Sequence, residues 1–225
     1  MKRILVGFEE SATVREAFHA AGWDAWSCDL QPTRIPGKHF QCDIFEVIDQ
    51  RWDMAIFFPP CTHLCSSGAR WFKNKAQLQE DALNLVRRVM ACRIPRWAIE
   101  NPVGVISSRI RKPDQYIQPW QFGHGETKKT GLWLRNLPLL QPTEIVSGRE
   151  QRIWKMAPGP ERAKERSKTF SGVAKAMAEQ WSKLPTIAYS DLPHHHPPNH
   201  QLSVLHPHQL SDTAAAPLGI WRFGL

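Results

Sequence analysis

Short apolar runs alternate with amphipathic segments through the first half of the chain. Residues 3–7 read Arg-Ile-Leu-Val-Gly, a buried strand that ends at a glycine. Residues 11–21 place Ala12, Ala17, Phe18 and Ala21 at helical spacing, with Ser11 as N-cap and Gly22 just past the end. A second strand, 24–28, ends at Asp29. A Pro/Gly-bearing loop follows at 31–38, then a short strand at 39–43 and a short helix or turn at 44–50. The apolar run 53–58 predicts a strand stopped by Pro59-Pro60. Leu78, Ala82, Leu85, Val86 and Val89 predict a helix over 76–92, and 96–99 predict another buried strand ending at Glu100-Asn101-Pro102. Signals thin out beyond residue 113: a strand near 132–134, a turn or extended loop at 138–142 and a polar, basic surface loop at 147–168. A helix returns at 171–182, capped by Ser171, with Val173, Ala174, Met177, Ala178 and Trp181 on one face. After Leu184 periodicity is lost. The His/Pro-rich segment 185–225 reads as a mostly disordered tail, and its histidine run at 194–196 is assigned no function.

Strands alternating with helices predict an α/β protein with a doubly wound, Rossmann-like sheet over residues 1–184. Ligands of such sheets bind beyond the carboxyl ends of the strands. That rule gathers Gly7, Phe8, Glu9, Ser11, Asp29, Asp43, residues 59–67 and residues 100–102 on one rim. The length, 225 residues, suits one domain with a proper core. The net charge is +8, with Lys and Arg gathered in 70–75, 87–96, 109–112, 128–135 and 149–168 while 1–60 are nearly balanced. An uneven basic charge of this size fits a polyanionic partner such as nucleic acid. No segment resembles a leader or a membrane span, so the expectation is a cytoplasmic protein without membrane attachment. Five cysteines, an odd number in a reducing compartment, argue against a disulfide framework. Cys61, His63 and Cys65 have no regular second pair of ligands, so no metal is expected.

Cys61 follows two prolines at a strand's end, which would hold a thiol rigidly and aim it away from the core, as a nucleophile requires. Glu100 stands at the end of a later strand. A thiol and a carboxyl group on one rim suit nucleophilic addition to a heteroaromatic ring. A packed structural thiol and a capping or ion-paired carboxylate are the alternatives.

Pro59-Pro60-Cys61 and Glu100-Asn101 resemble the Pro-Cys and Glu-Asn-Val motifs of the DNA cytosine-5 methyltransferase family, in that family's order. The chain up to about residue 184 is similar to its small phage-type members. The resemblance implies an S-adenosylmethionine-dependent methyltransferase fold and methyl transfer to carbon-5 of cytosine in DNA. Cys61 and Glu100 would be catalytic. Gly7, Phe8, Glu9, Ser11, Asp29, Asp43 and Pro59 would bind the cofactor, Asp29 at the ribose hydroxyls and Asp43 near the adenine amino group. Ser171-Gly172-Val173-Ala174 resembles the family's last motif, which closes the cofactor pocket. Pro60, Asn101, Ser66, Ser67, Lys128 and Lys129 would meet the substrate. Four departures stand out. Only Gly7 remains of the usual glycine loop, and Pro102 follows Glu100-Asn101 in place of valine. Thr127-Lys128-Lys129-Thr130 stands where a Gln-x-Arg-x-Arg motif belongs. The large target-recognition domain is reduced at most to 135–168, which implies short or relaxed specificity or a protein partner that supplies recognition. RNA, a nucleotide or a modified pyrimidine is the alternative substrate, and a catalytically degenerate nucleic-acid-binding module the alternative role.

Overall fold

The first and fourth strands are apolar on both faces, the pattern of strands that helices cover from both sides. The computed structural model describes residues 1–65, 76–152 and 168–192. In chain order these contain β1 (Arg3–Gly7), α1 (Thr13–Ala20), β2 (Asp24–Asp29), β3 (His39–Gln41), β4 (Met54–Phe57), α2 (Ala76–Met90), β5 (Trp97–Pro102), α3 (Ile106–Arg109), β6 (Gln115–Ile117), β7 (Thr130–Arg135) and α4 (Ser171–Trp181). Among the described residues the strands form one seven-stranded sheet in the order β3-β2-β1-β4-β5-β7-β6. β1 to β5 are parallel to one another, and β7 runs antiparallel between β5 and β6. This is the doubly wound, Rossmann-like α/β architecture that the alternation of elements predicts.

Successive strand residues feed two cores, as the pleat requires. Ile4, Val6, Met54, Ile56 and Ala98 pack towards α1 and α4, against Val14, Phe18, Met177 and Trp181. Leu5, Ala55, Phe57, Trp97 and Ile99 pack on the other face, against Leu83, Val86 and Val89 of α2 and against Trp52. Among the described residues no helix is long and apolar enough to cross a membrane.

Four expectations change. Ser11 is not the N-cap of α1. The cap position is Ala12, left-handed at φ 62°, and no side chain of its own caps the helix. The carboxylate of Glu9 does that work, accepting from the amides of Val14 at 2.7 Å and Arg15 at 3.2 Å. Ser171 is likewise the first helical residue of α4 rather than its cap, which is Phe170. β5 continues through Pro102 instead of ending at residue 99, because β7 pairs with it to the last residue, Asn101 with Gly131 and Pro102 with Thr130. Finally, the chain stays attached beyond residue 184. The Tyr189 hydroxyl donates to the carbonyl of Trp52 at 2.6 Å and accepts from its amide at 2.9 Å, and Leu192 is buried. The histidine run 194–196 lies outside the described residues.

Candidate active site

The five parallel strands end on one edge, and β4 delivers the chain there. The amide of Phe58 donates to the Gly7 carbonyl at 3.0 Å, extending the β1–β4 pairing by a residue before Pro59 is reached. Cys61 then opens a tight turn: its carbonyl accepts from the amides of Leu64 and Cys65, both at 3.0 Å. Two contacts lock this turn to the exit of β5. The Asn101 side-chain amide donates to the carbonyl of Pro59 at 2.8 Å, and the Val105 amide donates to the carbonyl of Leu64 at 2.8 Å. Gly104 makes the second possible, since a Cβ there would lie 1.9 Å from the Leu64 carbonyl oxygen. Asn101 is buried, and its Oδ1 has no hydrogen-bond partner among the described residues.

β7 explains how lysines reach the same place. Because it is antiparallel, it begins where β5 ends, so Lys128 and Lys129 enter at the rim. Burial raises the carboxyl pKa of Glu100 above its ordinary value, while the Lys128 charge and a hydrogen bond with Thr130 pull it back. The Cys61 thiol is pushed up by its hydrogen bond with Cys65, by burial and by the charges of Cys65 and Glu100, and Lys128 opposes them. The thiol, the carboxyl and the ammonium group therefore act on one another. The Lys128 ammonium also donates to the Lys168 carbonyl at 3.5 Å. Lys129 is exposed and lies over the ring of Tyr116, 4.4 Å from its centroid. Beside Glu100 and Lys128 opens a cleft whose apolar wall is Ile117, Pro119, Phe170 and Val173.

The amino-terminal part of the rim is tightly built. A Cβ on Gly7 would sit 2.6 Å from the Phe57 ring and 2.8 Å from Ile44, so this glycine is needed for packing. Phe8 is left-handed at φ 61°, and the amides of Phe8 and Glu9 both donate to the Cys28 carbonyl, at 2.7 and 3.2 Å. Glu9 lies in this loop, but its carboxyl group faces α1. Burial lifts its pKa to about 7 against the hydrogen bonds from Val14, Arg15 and Ser11. Ser11 hydrogen-bonds with Glu9 at 3.4 Å and Thr13 at 3.1 Å. Asp29 accepts from the Gln31 amide at 2.8 Å, and burial raises its pKa. Asp43 is exposed and caps the turn Ile44–Glu46, accepting from the Phe45 amide at 2.8 Å in a reciprocal box with Glu46. Pro60 is exposed beside Cys61. Cys61, Pro59, Asn101, Glu100 and Lys128 are thus brought together, and Asp29 stands with the 7–11 loop. The carboxylates of Glu9 and Asp43 are engaged with backbone. Ser66 and Ser67 lie outside the described residues.

No protein-family profile and no curated protein sequence matches the chain. Among solved structures it is similar to a prophage-encoded E. coli protein described as a DNA modification methyltransferase, with 16% identity and a TM-score of 0.45 over 70% of this chain and 56% of that one. It is also similar to a triple mutant of DNMT2 from Spodoptera frugiperda, with 14% identity and a TM-score of 0.38 over 67% and 55%. The chain spans little more than half the length of either.

Several residues at the site carry no clear signal in the sequence. Thr130 is buried beside Glu100 and also donates to the Lys128 carbonyl at 3.0 Å. His124 accepts from the Gly172 amide at 3.0 Å and packs against Phe170, centroids 5.0 Å apart, so it fixes the start of α4 at the cleft. Gly172 admits this approach, since a Cβ there would meet the Phe122 carbonyl at 1.9 Å. Within the region expected to serve recognition, residues 143–150 run beside 120–127: Val146 donates to Trp120, Gly123 to Glu144 and Thr127 to Glu150. The guanidinium of Arg149 lies over the ring of Trp120, 3.9 Å from its centroid.

Proposed function

We propose that the chain transfers a methyl group from S-adenosylmethionine to carbon-5 of cytosine in DNA, through a transient bond from Cys61 to carbon-6. The observation that carries this reading is the turn opened by Cys61. Asn101 ties it to the end of β5, where the thiol, Glu100 and Lys128 share one electrostatic environment.

Each group has a task. Cys61 must lose its proton to attack, and the Lys128 ammonium favours the thiolate. Glu100 keeps its proton to a higher pH than an ordinary glutamic acid, so it can donate a hydrogen bond to ring nitrogen 3 as the thiolate adds. Carbon-5 then carries electron density. It would take the methyl group as the donor's carbon–sulfur bond breaks, and loss of the carbon-5 proton and departure of Cys61 would then restore the ring. Carbon-6 of a stacked base is hidden, so the cytosine must leave the helix, and the basic charge beyond residue 60 suits the phosphates it leaves behind. S-adenosylmethionine, when bound, supplies an electrophilic methyl group on a sulfonium. The rim fits such a ligand in two respects: the half-buried Asp29 carboxylate is short of solvent donors, which vicinal hydroxyls supply, and the cleft beside Glu100 has an apolar wall.

The test is transfer of a tritiated methyl group from S-adenosylmethionine to DNA, with nucleoside mass spectrometry to identify the product. Wild-type protein should yield 5-methylcytosine and Cys61→Ala none. Undiminished transfer by Cys61→Ala overturns the mechanism, and label found only in RNA or free nucleotide overturns the substrate.

A further inference from the structure

The Cys65 side chain is the leading influence on the Cys61 thiol, so the nucleophile has a second sulfur beside it. The backbone fixes that contact. The amide of Cys65 donates to the carbonyl of Cys61, which makes the two residues ends of a single helical turn. Residues four apart on such a turn have Cα atoms about 6 Å apart, inside the window a disulfide accepts, but Cβ atoms about 5–6 Å apart, so closing the bond requires the turn to tighten. Cys65 is also held from the far side, where it bridges to Gly104. Both thiols are half-buried rather than sealed. The opposite arrangement occurs at β2, where Cys28 hydrogen-bonds with Cys42 but is itself 1% exposed.

We propose that Cys61 and Cys65 form an oxidation site for peroxides, closing a reversible disulfide across the turn. One thiolate of the pair attacks the peroxide O–O bond, giving a sulfenic acid and releasing hydroxide. The other thiol attacks that sulfur, the S–S bond forms and water leaves. Two thiols and one hydrogen peroxide become one disulfide and two waters, the thiols oxidised and the peroxide reduced. A neighbouring thiol diverts the sulfenic acid from irreversible oxidation. This chemistry is independent of what the protein methylates. Its consequence, a masked nucleophile that reductant restores, rests on the proposed function.

The sequence makes the test direct, because no Lys or Arg separates residue 52 from residue 69 and Arg70 follows, so trypsin leaves both cysteines on one peptide with no other cysteine. The full chain is treated with hydrogen peroxide, blocked with iodoacetamide, digested and analysed by mass spectrometry. The expected product is that peptide lacking two hydrogens and unalkylated, reverting to two alkylated cysteines after dithiothreitol. In Cys65→Ser the expected product is a sulfenic acid at Cys61 that dimedone traps several-fold more than in wild type. Equal dimedone trapping in both proteins, or a Cys28–Cys42 cross-link formed in preference, overturns the proposal. Failure of the methylation reading would leave the mass-spectrometric result unchanged, so the two ideas fail separately.

Discussion

At Cys61 the proton is held on by Cys65 and by burial, so methyl transfer is expected to rise with pH as the thiolate becomes available. Glu100 acts in the opposite sense. Its raised pKa keeps it protonated above the usual carboxyl range, and activity declines once it ionises. The productive form pairs a thiolate with a protonated carboxyl, the reverse of the two groups' ordinary order of ionisation, so the expected kcat/KM profile is a low bell whose two breaks belong to the pair and whose alkaline limb exists because Glu100 ionises. Glu100→Gln cannot ionise and should lose that limb while lowering the rate by roughly 10² to 10⁴. Lys128→Met removes a charge that favours both the thiolate and the ionised Glu100, so both limbs should move to higher pH. An unchanged profile in that variant would show that Lys128 acts on neither group. Cys61, Glu100 and Asn101 are legible in the sequence because prolines or strand ends mark them. Thr130 and Cys65 are not, since nothing about a threonine at the start of a strand, or a second cysteine in a polar loop, reveals what lies across from it.

Among the elements, the turn after β4 and the exit of β5 behave as one piece. Gly104→Ala would drive a methyl group into the Leu64 carbonyl. Overpacking of this kind costs about 1–3 kcal/mol. Denaturant unfolding should register the loss, and alkylation of Cys61 should change with it because the turn must shift. The start of α1 offers a pH test. Glu9 is protonated in the folded protein up to about pH 7, against an ordinary value of 4.5. A raised acid pKa stabilises the fold fully below the unfolded value and loses that contribution as pH rises through the folded one. Stability should therefore fall by up to roughly 3 kcal/mol between those limits. Glu9→Gln should flatten the fall in melting temperatures measured at several pH values. Ser11 has the residue type of a cap and still is not one, because the cap position is decided by the left-handed backbone at Ala12, which residue propensity does not carry. β5 is visible from Trp97, Ala98 and Ile99. Its last three residues are strand only because β7 pairs with them, and β7 comes from far along the chain.

For the whole molecule, the alternation of apolar runs and amphipathic segments sufficed to predict the sheet and its two helical faces. It did not reveal β6, which has three residues and one buried side chain. Nor did it reveal that the chain returns to the body at Tyr189. There the signal is a single hydroxyl that completes the hydrogen bonding of Trp52, a residue with no exposed surface. Tyr189→Phe should leave both backbone groups of Trp52 unpaired, at a cost of about 1–3 kcal/mol. For a chain of this size that corresponds to a fall of about 2–4 °C in Tm per kcal/mol, read by calorimetry. A Tm unchanged by the substitution would mean that water replaces the hydroxyl at no cost.

Cys61 follows β4, Glu100 sits in β5, and those strands are adjacent and parallel. Neighbouring strands are held about 4.8 Å apart by their backbone ladder. That ladder ends at Phe57 and Ile99, and beyond it the bond from Asn101 to the Pro59 carbonyl and the bond from Val105 to the Leu64 carbonyl carry the main-chain registration on to Cys61. Trimming side chains that line the cleft leaves that backbone frame untouched. Under the proposed function, a library of such trimmed variants should weaken the grip on a pyrimidine long before it admits a purine.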